Sequence, residues 1–427
     1  MIRFIIKGLL RDKHRSILPI IIVSIGVMLT VLMHCYITGV MGDTLELTAR
    51  FSTGHVKVMS RVYAENSDLA PNDLALIDVK ELRENIEAQY PDMTWVERIK
   101  FGGLVDAPDE FGETYAQGPA MGIAIDIFNE GSGEIDRMNL RESIVRGAIP
   151  ESPGEVLLSE DFSQNLGVNP GDEVTLISAT MYGGMSISNF KVSGTVIFGI
   201  PAMDRGAMIA DIEDIRLALD MNDATGELLG YFGGGYYEDE NAVALSTEFN
   251  EKYSSNEDEF SPMMVSMRDQ NTFATMIDMA DSLAGIIAFV FILIMSTVLW
   301  NTGLIGGLRR YGEVGLRLAI GEEKGHIYRS MISESVLIGI VGSVSGTIFG
   351  LFFAYLLQTK GIDISGMMEG STMMMPGIIR ARITPEAYYL GFIPGLFSIV
   401  LGTLLSGIGI YKRQTAQLFK ELDAWGG

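Results

Sequence analysis

Cysteine is almost missing from this chain: Cys35 is the only one in 427 residues. An intramolecular disulfide is therefore impossible, and any part outside a membrane must be held by a packed core. Histidine is nearly as scarce, with four copies scattered along the sequence. No H-E-x-x-H and no paired C-x-x-C occurs, which removes the common zinc and dithiol arrangements. The phosphate-cradling pattern G-x-x-x-x-G-K-[S/T] is absent as well, so ATP hydrolysis by that route is closed to this chain. No Ser/His/Asp set stands out from background. Positive charge is also in deficit: the net charge is −23, which argues against nucleic acid as a partner.

The chain has instead four long apolar runs, about Ile17–Met41, Ser282–Leu304, Val336–Leu357 and Tyr388–Tyr411. Each reaches the ~20 residues that cross a hydrocarbon core at 1.5 Å per residue. None carries a charged residue in its interior, which speaks against a proton or ion path through them. His34 is the one ionisable side chain deep enough to question, and an interfacial or packed role near the end of the first run suits it. That run is longer than the apolar core of a signal peptide, and Met33 and His34 are too bulky for a lipoprotein cleavage box before Cys35. It reads as an uncleaved helix.

Charge is sharply partitioned. Residues 43–281 hold 44 Asp/Glu against 15 Lys/Arg, whereas the rest of the chain holds 10 acids against 16 bases. Solubility explains such an acidic segment, and steering of a basic partner is the alternative. Arg3, Lys7, Arg11, Lys13 and Arg15 precede the first run; Arg309, Arg310, Arg317, Lys324 and Arg329 lie between the second and third; Lys412, Arg413 and Lys420 follow the fourth. This Lys/Arg bias places both termini in the cytoplasm and the acidic segment outside. The expected division is an amphipathic N-terminal helix (1–16), a first span (17–41), an extracytoplasmic α/β domain (42–281), a second span (282–304), a cytoplasmic segment (305–335), a third span (336–357), a short outer loop (358–387), a fourth span (388–411) and a cytoplasmic tail (412–427).

Inside the acidic domain the pattern predicts strands at Gly54–Met59, Glu155–Ser159, Glu173–Ile177 and Phe190–Ile200. It predicts helices at Val79–Tyr90, Glu160–Leu166 and Asp211–Met221, with a hairpin tip at Tyr182–Met185. Gly230–Asn241 and Ser254–Glu259 read as loops. Asn271–Ser282 has helical spacing and runs on into the second span. Gly342, Gly346 and Gly350 form a small-residue stripe in the third span, and Gly391 and Gly395 repeat the spacing in the fourth; such stripes let helices approach closely in lipid, within one chain or across a dimer. Met263, Met264 and Met267, with Met367, Met368 and Met373–Met375, leave three readings open: Cu(I) ligands, a surface for varied apolar partners, or ordinary interfacial packing.

The segment Leu308-Arg309-Arg310-Tyr311-Gly312-Glu313-Val314-Gly315-Leu316-Arg317-Leu318-Ala319-Ile320-Gly321 reads as a short amphipathic helix able to sit in a groove of a soluble partner, or as an ordinary positive-inside loop. Together with Glu334 it resembles the signature segment of the FtsX/MacB-type ABC permeases (type VII exporter fold), with Ile320 where Leu is usual. Gly54-His55-Val56-Lys57-Val58 is similar to the stretch after the first span of lipoprotein-releasing, LolC/LolE-like permeases. Arg146-Gly147, Gly154–Leu158, Leu166–Val168, Gly171–Val174 and Phe190–Gly194 look like the family's external core. The resemblance covers nearly the whole chain. It implies an α-helical membrane protein with four transmembrane helices (1+3) and a large mixed α/β extracytoplasmic domain of the MacB-like periplasmic core type, in the bacterial inner membrane.

What the resemblance implies for function is a non-enzymatic permease subunit, paired with a second permease subunit (homo- or heterodimer) and with two copies of a cytoplasmic ABC ATPase. The chain would bind no cofactor; ATP and Mg would belong to the ATPase. Arg309, Arg310, Glu313, Gly315, Arg317, Ala319 and Gly321 would form the ATPase contact. Val27, Val31, His34, Leu283, Ile287, Phe291 and Met295 would face the acyl chains of a lipoprotein, which the domain would pass to a periplasmic carrier. The alternatives are a MacB-like efflux permease with a periplasmic adaptor, an FtsX-like regulator of cell-wall hydrolases, or a receptor scaffold.

Overall fold

The computed structural model describes residues 13–109, 111–254, 258–270, 273–308, 311–363 and 378–412. The chain divides into two compact units: Met1–Met41 with Met279–Ile362 and Ile379–Gly427, and Gly42–Asp278 with Asp363–Ile378. Four helices are long and apolar enough to cross a membrane: Ile17–Thr53, Phe273–Leu308, Lys324–Lys360 and Ala387–Ile408. The first three outrun their apolar stretches, because helix continues where polar residues begin: the first starts at Lys13 and the third already at Lys324. The fourth span is not uniform. A short helix, Ala387–Leu390, leads through π-helical Ile393–Ser398 into α-helical Ile399–Lys412. Pro394 lies in the π-helical stretch and has no N–H to donate, and a π-turn is one way to absorb that loss. The amphipathic segment expected at 1–16 falls outside the described residues up to residue 12, as do Arg309, Arg310, the Met367–Met375 cluster and the tail beyond 412.

The second unit is built on a mixed sheet. Its strands are β1 (Val56–Ser60), β3 (Met93–Pro108), β4 (Thr114–Ile125), β5 (Ile144–Gly147), β6 (Glu155–Ser159), β7 (Glu173–Ala179), β8 (Met185–Val196), β9 (Ala207–Asp211), β11 (Glu227–Phe232) and β12 (Pro262–Ser266), while β2 (Leu76–Ile77) and β10 (Ala224–Thr225) form a separate pair. The order is β12-β1-β11-β3-β4-β9-β6-β8-β5, with β7 pairing β3 and β8; β4/β9 and β6/β8 are parallel. Long β3 joins the halves: Met93–Arg98 pair with β11, and Ile99–Pro108 with β4. Both faces are covered, so β6 alternates between cores: Val156 and Leu158 pack with Phe101, Phe162 and Ile215, while Leu157 packs with Ile125, Leu140 and Phe198. A strand buried on both faces reads as an unbroken apolar run, as Val156–Leu158 does. A third core gathers Val56, Val58, Trp95, Leu228 and Phe249.

Two expectations need correction. The stretch 230–241 is not one loop: β11 runs through Phe232, and the helix Asp239–Tyr253 begins before its end. The strand expected at Phe190–Ile200 runs instead from Met185 to Val196, because its first half is the return arm of a hairpin paired from Glu173↔Lys191 to Ala179↔Met185.

Candidate functional site

Three regions hold the residues singled out above. The first is the segment between the second and third spans. Tyr311–Ala319 is a helix, and Val314 and Leu318 pack on Ile327 and Met331 at the start of the next helix. Gly321 takes φ +99°, a conformation that side chains with a Cβ rarely adopt, so the chain turns there between the two helices. Arg317 Nε lies 3.3 Å from Glu322 Oε2. The helix therefore has two faces. Val314 and Gly315 are buried, while Glu313, Leu316, Ala319 and Ile320 are exposed. Gly315 is thus turned away from any partner. Leu316 and Ile320, 53% and 78% exposed, complete the open face; their helical spacing from Glu313 was the signal that could have found them.

The second region is the packing of the spans. A Cβ built on Gly342 would sit 2.6 Å from Val23 Cγ1, one on Gly346 2.7 Å from Val27 Cβ, and one on Gly350 2.9 Å from Val31 Cβ. Gly391 and Gly395 press on the same valines, at 2.6 and 2.5 Å from Val27. The glycines of the third and fourth spans thus enclose one ridge of the first, and the Ser24 and Ser345 hydroxyls bond across it at 2.6 Å. This corrects the placement of Val27 and Val31 as substrate-facing: both are fully buried in that contact. The exposed stripe of the first span is Leu18, Ile21, Ile25 and Leu29. His34 is half-buried, its Nε2 3.2 Å from Thr384 Oγ1. In the second span Leu283 is exposed and Ile287, Phe291 and Met295 are half-buried. Towards the end of that helix Leu299 meets Gly26, Gly303 meets Ile399 and Gly307 meets Ser406.

The third region is the polar interior of the α/β unit. Gly54 has φ +63°, and a Cβ there would meet Val56 O at 2.6 Å. His55, fully buried, accepts from the Phe232 N–H at Nδ1 (2.9 Å), which leaves the proton on Nε2 for Glu46 Oε2 (2.9 Å). The Gly-His pair is therefore a structural latch between the chain entering the domain and β11. Arg98, also buried, donates to Glu134 Oε2 (2.6 Å), Phe51 O (2.5 Å) and Arg50 O (2.7 Å). Lys57 and Lys100 both donate to Glu227 Oε1, at 2.9 and 2.8 Å. Burial, against the pull of Glu227, lowers Lys57 to about 8, and the two ammoniums outweigh burial to hold Glu227 at about 2. At the surface the β7–β8 hairpin presents Tyr182, Met185 and Ile187 to solvent. Among the described residues no group of His, Cys, Asp and Glu is placed to hold a metal ion.

Residues 285–415 match the family model described as FtsX-like permease C-terminal. The chain is 25% identical over 215 residues to the lipoprotein-releasing system transmembrane protein LolC of Xylella fastidiosa, covering 48% of this chain and 49% of that protein. It is 28% identical over 110 residues to the macrolide export ATP-binding/permease protein MacB 1/2 of Paracoccus denitrificans, covering 26% and 16%. A Bordetella avium MacB is 24% identical over 112 residues. The matched stretches span about half the length of the LolC relative and under a fifth of the MacB ones. The periplasmic region of MacB from Actinobacillus actinomycetemcomitans superposes with a TM-score of 0.36 at 10% identity, covering 55% of this chain and 98% of that one. The family match takes in the second, third and fourth spans, the 311–321 segment and both glycine stripes. Residues 285–415 of this chain are thus similar to an FtsX-like permease domain.

Proposed function

We propose that this chain is the permease subunit of an ABC transporter and transmits the work of a separate cytoplasmic ATPase to its α/β domain. The observation that carries this is the open face of the 311–321 segment inside an FtsX-like permease domain. A helix anchored on one side by Val314 and Leu318, with Glu313, Leu316 and Ile320 exposed on the other, suits a groove in a soluble partner. With no Walker pattern in the sequence, ATP and Mg belong to that partner, present in two copies across a permease dimer. The segment then lies in the cytoplasm and the acidic domain in the periplasm, in agreement with the Lys/Arg bias.

The work is best matched to lipoprotein release from the inner membrane to a periplasmic carrier. The longer of the matches to curated relatives is to a lipoprotein-releasing protein, and the Met185–Ile187 edge of the hairpin offers the domain an apolar contact surface. The second reading, efflux with a periplasmic adaptor, is favoured by the MacB similarity. Depletion of the protein tests the choice: lipoproteins accumulate in the inner membrane under the first reading, and unchanged sorting with lost efflux establishes the second. Co-purification from native membranes identifies the ATPase and the protein held by the domain.

A further inference from the structure

A cavity of 670 Å³ lies inside the α/β unit, within the ~300–1,000 Å³ usual for small-molecule sites. Its lining is mixed: Lys57, Lys100 and Arg61 stand among the carboxylates Glu227, Glu65 and Asp269, beside a smaller apolar group. Lys57, Lys100 and Glu227 line it together with Met59, Met263 and Phe273. Each ammonium has three donors, yet among the described residues each makes one bond, and to the same oxygen, Glu227 Oε1. Two positive charges thus share one negative charge. Lys57 is almost wholly enclosed, which makes the surplus stronger than it would be in water. Lys100 is a third exposed and reaches the cavity from its accessible side. The exposed Glu65 and Asp269 also line it; they limit the anionic charge it accepts. Phe273 opens the helix Phe273–Leu308, so an occupant of the cavity touches the first turn of that helix.

We propose that this cavity binds an amphiphile with a single anionic head, a carboxylate or phosphate monoester, whose apolar chain lies against Met59, Met263 and Phe273. The lysine pair holds the head through the donors Glu227 leaves unused. The polarizable, flexible methionines accommodate chains of different shape. The site is independent of whether the transporter releases lipoproteins or exports other cargo.

The test is photolabelling of the full chain in a neutral maltoside detergent with a diazirine-bearing lauric acid, followed by peptide mapping. The expected label falls on Met59, Met263 or Phe273; unlabelled laurate displaces it, while dodecyltrimethylammonium and inorganic phosphate at the same concentration do not. Lys100→Gln lowers this labelling at least tenfold and Lys100→Arg retains it. Ala64→Trp, which narrows the cavity without touching the ion pairs, lowers it as well. Label confined to the spans, equal labelling of Lys100→Gln and the parent, or displacement by phosphate as effective as by laurate overturns the proposal. In the last case the lysines form a bare anion site without an apolar half.

Discussion

Truncating Leu316 and Ile320 to alanine tests the docking face directly. Removing the branched end of either side chain forfeits about 2 kcal/mol where burial is complete. In the isolated chain the two side chains are 53% and 78% exposed, so only that share is left for a partner to cover. Scaled accordingly, the pair is worth about 3 kcal/mol on docking, or roughly a 100-fold loss of affinity. The fold should not suffer, because neither residue belongs to the Val314–Ile327–Met331 cluster that holds the helix down. The assay is affinity of the purified permease for its ATPase, with ATPase stimulation as a second readout and thermal stability as control. Leu318→Ala, by contrast, removes a side chain packed on that cluster and should lower stability. A double variant that keeps native stability, full affinity and full stimulation refutes this docking face.

Charge reversal at Glu313 should uncouple ATPase stimulation without unfolding the protein; Arg317→Glu should do the same and also lose the Glu322 contact, and normal coupling in both removes them from the interface. Gly346→Val places a Cβ 2.6 Å from Ser24 O and should cost several kcal/mol of stability, about the cost of overpacking a tight core, whereas Gly285→Ala, with nothing within 4 Å, should be neutral; melting temperatures in detergent decide. His55→Ala strands the Phe232 N–H and removes a donor from Glu46, at about 2 kcal/mol, so a midpoint unchanged in denaturant titration would contradict the latch. Glu227 sits at about 2, below its unfolded value, so its contribution is present above pH ~4.5 and is lost as pH falls towards 2, on the order of 3 kcal/mol. Glu227→Gln should flatten that acid limb, and an identical pH dependence in the variant argues against the pairing.

Much of the fold was legible because the relevant patterns were local. The β6 strand and the helix Glu160–Leu166 after it, and the apolar runs of the four spans, need only neighbouring residues to be recognised. The longest strand was not. In β3, Glu97, Arg98 and Lys100 interrupt the apolar alternation, and they are tolerable inside only because Arg216, Glu134 and Glu227 meet them from distant parts of the chain. The helix Asp239–Tyr253 hid for a related reason: few of its residues are strongly apolar, and Phe249 does its packing against partners the sequence does not reveal. The glycine stripes were visible, but their spacing does not say what they face. That Val23, Val27 and Val31 form the ridge is a property of three helices together.

That ridge also bears on how force passes through the spans. The first, third and fourth helices meet through glycine-to-valine contacts so close that a methyl group does not fit, and such contacts resist sliding. The second helix is different. From Leu283 to Val298 most of its apolar side chains are uncovered, including Ile286, Phe289, Val290, Leu293 and Ile294, and its close contacts at glycines lie between Leu299 and Gly307. It is also the span whose chain leads on into the helix Tyr311–Ala319, the proposed docking element. If the ATPase pulls on that helix, the second span, uncovered from Leu283 to Val298, swings about the Leu299–Gly307 grip while the other three hold their register. A disulfide between cysteines placed at Leu299 and Gly26, made in a Cys35→Ser background, should then leave transport intact because it only reinforces the pivot. Loss of transport on oxidation, restored by reductant, would show that this end of the span moves and that the pivot lies elsewhere.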